Sequence, residues 1–564
     1  MGPTLKNPAL TTKLSLPSQS VVNLSFTETS LKGLQDFRES LPGANLPESL
    51  ARLYQYLPEV AGLLANGETK LALLDYLKPV IFDYTDKVIT TTAISREKTK
   101  EISLTLGLLK QLGNGYKAVL MDELDKTAPE ALILARAIAA SIGTLQKRIT
   151  SCWRTYISPP RKDWIEIHTL YQIAQTEGVE VFQPDAETGT PAPDFVTPKA
   201  AYLSILTASC SDPGRLSQQD QRQLIDFLAN CADLATLSPE PGQGPFRVDP
   251  GADEGPVRAG AGDDTREGLL YIDFARLIGH LETCASDCPL PHRLITDLVQ
   301  HLNQPPTRTE IRSPDDSTCS ALFGLTRLHR QLTHTRNIEE YLRGLKIELR
   351  RRPEKQAFSA RDTKPELKDL WLDGALEARS SVLYRTERPK KDLDKPIEFS
   401  RDNNQRPFAA AGPEDIEAVR IDTSDNGTCL ELPTAQTHAS PGDLAAIRPD
   451  TGNHWALAMV RWTRVTPKLS RLVGLELLKY DYKPCAAALT RKQKQTSAYF
   501  SCLLLKGSGA DLELLSPSIP FTEGSEVVIV SASGKQFAIL QSTCDSSYHV
   551  SRFKLTMLTP ETGV

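Results

Sequence analysis

The apolar residues of this chain change their spacing once, and that change constrains the fold more than any other feature of the sequence. From about residue 45 to 355 they recur every three to four positions, and after about 415 they alternate. The first period lines one face of a helix, the second one face of a strand. The expected architecture is therefore multidomain α + β: a mostly α-helical N-terminal region, then a small antiparallel β-barrel with an additional strand-rich segment. A chain of 564 residues is also too long for one core, and roughly 150 residues per domain suggests three or four units.

Residues 1–44 read as a flexible or extended lead-in and 45–355 as the helical region. In ESLARLYQYLPEVAGLL, Leu50, Leu53, Tyr54, Leu57, Val60 and Leu64 form one stripe. Thr127-Ala128-Pro129-Glu130 reads as a capping box, and the helix it opens sets Leu134, Ile138, Ile142 and Leu145 on one face. Thr197 before Pro198 reads as a second start, cap then proline. QRQLIDFLANCADL, LYIDFARLIGHLE, PHRLITDLVQHLN and RNIEEYLRGLKIEL continue the pattern. Helices of this kind bury their faces on one another, in an irregular bundle or a degenerate solenoid. Residues 238–267, dense in Pro, Gly and Asp, read as a mobile loop within this region. Residues 356–408 read as a charged linker, with three prolines in 388–408.

Beyond the linker, IEAVRI, TCLEL, DLAAIR, WALAMVRW and RLVGLELL are short strands. Turn residues separate them at Asp425-Asn426-Gly427, Pro441-Gly442-Asp443 and Asp450-Thr451-Gly452-Asn453. Together they suit a small barrel over 409–484, which closes its own edges. AYFSCLLL, DLELL, EVVIV, QFAIL and RFKLTML over 485–564 suit either a second barrel or an extension of the first.

Composition narrows the chemistry. A net charge of −5 makes the whole chain no polyanion binder, so nucleic acid is not an expected partner. No apolar run is long enough to span a membrane, and the start lacks a secretory signal, so a cytoplasmic protein is expected. The ten cysteines mostly sit beside apolar residues and read as reduced, buried thiols. Cys284 and Cys288 stand near His280 and His292 without a second ligand pair, so no metal site is expected. No zinc-protease, nucleophile-elbow or phosphate-loop motif is present. Asp122, Glu123 and Asp125 read as acids beside a helix start. An enzyme is not expected.

Asp422-Thr423-Ser424-Asp425-Asn426-Gly427 has the pattern D-x-S-x-x-G, with a strand (EAVRI) entering it and another (TCLEL) leaving it. PGDLAAIR, WALAMVRW and LVGLELL follow in register. In this motif and context the segment from about 415 to 480 resembles the PilZ domains of cyclic-di-GMP receptors. The resemblance implies a PilZ-like β-barrel with cyclic-di-GMP as ligand. Asp422 would accept from guanine N–H groups, Ser424 would donate a hydroxyl, and Gly427 would supply a positive-φ turn. The family also carries an R-x-x-x-R segment just upstream of the barrel, whose arginines clamp phosphates and stack on guanine. The linker ahead of residue 409 offers Arg401 and Arg406, spaced one residue too far apart, with Arg401 the better placed.

From Arg448 to Lys494 ten basic residues face three acids, a local excess suited to an anion or to a solvated face. Trp455 and Trp462, an odd number apart, are expected on opposite faces of an unbroken strand, one in the core and one able to shield a nucleotide. The implied function is a bacterial cyclic-di-GMP receptor or adaptor that signals to a protein partner through the helical region. Surface motility, by type IV pili or flagella, is the family context. The alternative is a nucleotide-independent interaction scaffold with a degenerate barrel. A role in catalysis or RNA binding would need constellations or interleaved aromatics that are not found.

Overall fold

Side-chain caps open several helices of the N-terminal part. Asn45, Asn66, Thr197 and Ser217 each accept a backbone N–H from the first turn of the helix that follows. The computed structural model describes residues 8–43, 45–90, 96–183, 196–260, 268–283, 288–304, 311–347, 415–433, 439–449, 454–507, 512–547 and 549–558. It divides the chain into two units, 1–338 with 415–564, and 339–414.

The helices up to the first barrel are α1 (Pro8–Thr11), α2 (Leu31–Glu39), α3 (Leu46–Ala61), α4 (Gly67–Ile89), α5 (Arg96–Leu124), α6 (Ala131–Arg154), α7 (Asp163–Thr176), α8 (Pro198–Cys210), α9 (Gln218–Asn230), α10 (Ala275–Thr283) and α11 (His292–Asn303). One core runs through them. Leu50, Leu53, Leu57 and Val60 of α3 are buried in it, whereas Tyr54 and Leu64 are exposed at the edge of the expected stripe.

Three sequence expectations in this part need correction. The capping box at Thr127 does not form: α6 starts after Glu130, which lacks a side-chain cap, and the Glu130 amide donates instead to Glu123 at 2.7 Å. Asp122 and Glu123 lie at the end of α5, not at a helix start. There Asp122 accepts from the buried Lys70 ammonium at 2.9 Å. The segment 238–267 is not simply a loop. The strands β1 (Thr236–Ser238), β2 (Phe246–Val248), β3 (Val257–Arg258) and β4 (Leu270–Asp273) form a small sheet in the order β1-β4-β2-β3. Phe246, Val248 and Ile272 from this sheet enter the helical core, so LYID is a strand and α10 begins only at Ala275.

The first barrel starts earlier than the sequence suggests. Its strands are β5 (Ser313–Pro314), β6 (Thr318–Phe323), β7 (Ile416–Ser424), β8 (Gly427–Leu432), β9 (Leu444–Pro449), β10 (Ala456–Val465) and β11 (Arg471–Leu477). The order is β5-β7-β6-β9-β10-β11-β8, and β7 pairs with β8 to close the ring. Between β6 and β7 the chain includes α12 (Leu325–Thr333) and α13 (Ile338–Gly344). Cys319, Ala321 and Phe323 of β6 alternate into the barrel interior beside Ala418, Leu430, Leu432, Ile447, Val460 and Val473.

The strand-rich C-terminal segment is a barrel in its own right. It comprises β12 (Asp481–Arg491), β13 (Lys494–Gln495), β14 (Phe500–Lys506), β15 (Leu512–Pro517), β16 (Glu526–Ser531), β17 (Gly534–Ser546) and β18 (Val550–Leu558). Closure is by β12 on β16. Setting aside the short β5 and β13, the two rings have the same strand order: β6, β7, β8, β11, β10, β9 in one and β12, β14, β15, β18, β17, β16 in the other. A shared apolar layer joins them, with Leu322, Leu444, Trp455, Leu457 and Met459 from the first, Leu503, Leu505, Leu515 and Val550 from the second, and Leu325 and Leu328 of α12 between.

The helical part meets the first barrel at the tip of the β10–β11 hairpin. The Val465 amide donates to the Tyr156 carbonyl at 2.8 Å, and Ile157 bridges to Val465. Arg471 is almost wholly buried beside this joint, donating to the Ala439 carbonyl and the Thr463 hydroxyl.

Candidate ligand-binding face

The D-x-S-x-x-G residues sit on the hairpin of β7 and β8. Ser424 pairs with Gly427 across the two-residue turn Asp425-Asn426, and the Asn426 carbonyl accepts from the Leu477 amide at 2.9 Å, which fastens the turn to β11. The Ser424 hydroxyl points back over the turn toward the Gly427 carbonyl at 3.3 Å, a loose contact that leaves it available. Gly427 does not have the positive φ expected of it, since it is absent from the glycines with that geometry. Its reason is closeness. A Cβ there would lie 2.9 Å from the Leu475 carbonyl, with Arg312 Nη2 and the Ser424 hydroxyl next nearest at 3.6 and 3.7 Å.

Asp422 Oδ1 accepts from Arg312 Nη1 at 2.5 Å, with both side chains about 30% exposed to solvent. The segment after Arg312 is laid along β7. Ser313 pairs with Thr423 and Pro314 with Asp422, and the Arg420 amide donates to the Ser317 carbonyl. The Ser317 amide and hydroxyl, followed by Arg420, hold the Asp315 carboxyl below its usual range.

These contacts bring a second candidate segment to the motif. Because the barrel begins at β6, the residues just ahead of it are those near 310, and there Arg308-Thr309-Glu310-Ile311-Arg312 has the R-x-x-x-R spacing. Arg308 lies outside the described residues, as do Arg401 and Arg406. Sequence reasoning missed this pair because it sought the segment beside residue 409. The spacing itself, ahead of the alternating Cys319, Ala321 and Phe323, was the available signal.

Asp422 opens a row across the outer face of the barrel. It pairs with Cys429, which pairs with Gly474, which pairs with Trp462. A bulge between Val460 and Trp462 turns the indole outward, although Val460, two residues earlier, points into the core. The indole covers Gly474 so closely that no Cβ would fit there. Burial and the nearby Asp422 carboxylate push the Cys429 thiol up to about 11, so it stays protonated. Trp455, by contrast, is buried between the barrels, with the Arg448 guanidinium 4.7 Å from its ring centroid. Both tryptophans are therefore outside the barrel interior, which the bulge explains.

The ten basic residues between 448 and 494 do not form one face. Arg448 pairs with Asp415 and Arg461 with Glu476, Arg471 is buried, and Lys483, Arg491, Lys492 and Lys494 belong to the second barrel. Among the described residues no cluster of metal-ligating side chains is found, and no helix is long and apolar enough to cross a membrane.

Comparison with known proteins yields two family matches. Residues 32–241 match the family described as cyclic-di-GMP receptor FimW, N-terminal domain, and residues 246–484 match the one described as cyclic-di-GMP receptor FimW, middle PilZ domain. The second span takes in both β6 and the R-x-x-x-R segment. The chain is 25% identical to the cyclic-di-GMP receptor FimW of Pseudomonas aeruginosa, over 98% of this chain and 95% of that protein. No solved structure matches the chain significantly.

Proposed function

The chain belongs to the PilZ-domain cyclic-di-GMP receptor family, and from that premise we propose that it binds cyclic-di-GMP on the outer face of its first barrel and relays nucleotide level to a protein partner. The observation that carries the reading is the ion pair of Arg312 with Asp422, which places the second arginine of an R-x-x-x-R segment on the D-x-S-x-x-G motif. In this proposal Arg308 and Arg312 take the role that the family resemblance implied for Arg401 and Arg406. Asp422 accepts from a guanine edge, which frees Arg312 for a phosphate. Ser424 adds a hydroxyl, Gly427 keeps the floor low, and the outward indole of Trp462 offers a stacking surface for a base.

The reading is of a receptor without catalysis of its own. Its partner is proposed to engage the helical region, and the family context points to pilus- or flagellum-based motility. The test is calorimetric titration of cyclic-di-GMP into wild type, Arg312→Ala and Ser424→Ala, with GTP as control. Arg312→Ala removes charge-assisted bonds worth about 1.5–3 kcal/mol each, so binding should weaken roughly ten- to a hundredfold. Folded wild-type protein that does not take up the nucleotide would overturn the proposal.

A further inference from the structure

Among the described residues, one exposed arginine of the first barrel stands without a counter-charge. Arg312 is held by Asp422, Arg420 by Asp315, Arg448 by Asp415 and Arg461 by Glu476, while Arg471 is buried and donates to the Ala439 carbonyl and the Thr463 hydroxyl. Arg464 is exposed and makes no ion pair or hydrogen bond among the described residues. It stands two residues beyond Trp462 on β10 and so shares the outer face with the indole.

Its row is Arg464, Leu472, Glu431 and Val419, beside the row of Trp462, Gly474, Cys429 and Asp422. Glu431 is the acid in that row, but it stands two strands away on β8 and makes no ion pair with Arg464; its Oε1 accepts from the Ser470 hydroxyl at 2.6 Å. Arg312 sits on Asp422 of β7 and Arg464 on β10, with Cys429 of β8 and Gly474 of β11 between those strands, so the two cations flank one stretch of surface. That stretch is floored by small side chains and the flat indole. From β7 to β10 it spans three strand spacings, about 14 Å between backbones.

The geometry points to Arg464 as a further ligand-contacting residue, a cation that engages the far side of a ligand already held at Arg312 and Asp422. This inference rests on the nucleotide reading and extends it. A cyclic dinucleotide carries two phosphates and two bases, so it presents groups to both ends of the face at once, whereas a mononucleotide presents one of each. A guanidinium suits either group, by bidentate bonding to phosphate or by stacking on a purine.

The experiment titrates cyclic-di-GMP into full-length wild type, Arg464→Ala, Arg464→Lys, Lys468→Ala and Arg312→Ala, with thermal melts to establish that each is folded. Lys468 is an exposed cation on the adjacent hairpin tip and controls for general charge. Arg464→Ala should weaken binding tenfold or more, Arg464→Lys should fall between it and wild type, and Lys468→Ala should stay within twofold. Equal losses in Arg464→Ala and Lys468→Ala would reduce the effect to non-specific attraction and overturn the inference. So would wild-type affinity in Arg464→Ala while Arg312→Ala is impaired, a result that would leave the nucleotide reading standing. No binding by wild type would end both.

Discussion

Gly427 illustrates how a motif residue was recognised for one reason and is needed for another. Its backbone is not left-handed, but the Leu475 carbonyl lies too close for a side chain. Gly427→Ala should therefore force β8 away from β11 and cost about 1–3 kcal/mol, read as a lowered midpoint in chemical denaturation. Asp422 and Ser424 were legible from spacing alone, because the hairpin that presents them is local. Arg312 was not, because the contact that gives it meaning joins residues 110 positions apart. Trp462 was half legible. Its aromatic character was plain, but its direction depends on a bulge that strand alternation does not announce.

The elements read best where the chain pairs with its near neighbours. β7 to β11 and the strands from β14 onward fall where alternation put them. β6 escaped notice because it is one short strand among helices, and a lone strand has no adjacent partner in sequence to declare it. The helix that follows it, α12, has a testable property of its own. His329 is fully buried and donates from Nε2 to the Cys485 carbonyl at 3.0 Å, tying the helix to the second barrel. Burial, partly offset by that carbonyl, pushes its imidazole down to about 4. The unfolded chain takes up the proton near pH 6.5 and the folded chain does not until about 4. Stability contributed by the neutral ring is thus complete above about pH 6.5 and is lost as pH falls toward 4. Thermal midpoints measured across that window should slope upward with pH in wild type and less steeply in His329→Gln.

At the scale of the molecule, the repeated strand order gives the two barrels different fates. The outer surface of β14 and β15, which corresponds to the β7 and β8 side of the first barrel, contributes Leu503, Leu505 and Leu515 to the layer between the barrels. The second copy thus spends on packing the surface that the first leaves open. Leu505→Asp would set an unpaired carboxylate in that layer, where Leu505 is fully buried, and should cost about 3–5 kcal/mol. Separate denaturation transitions for the two barrels would be the accompanying sign, against a single one in wild type.

The position of β6 also sets a timetable. Its pairing strand arrives only after about 90 more residues, which at a synthesis rate of roughly 5–20 residues per second is a delay of roughly 5–20 seconds. Closing so long a loop costs about 2.5–3 kcal/mol more than closing a four-residue turn, at about 0.6 kcal/mol per doubling. On the ribosome the helical part can therefore fold well before the barrel, while β6 waits with both edges unpaired. The arginine that meets Asp422 is in place at the start of that wait, and its site comes into being only at the end.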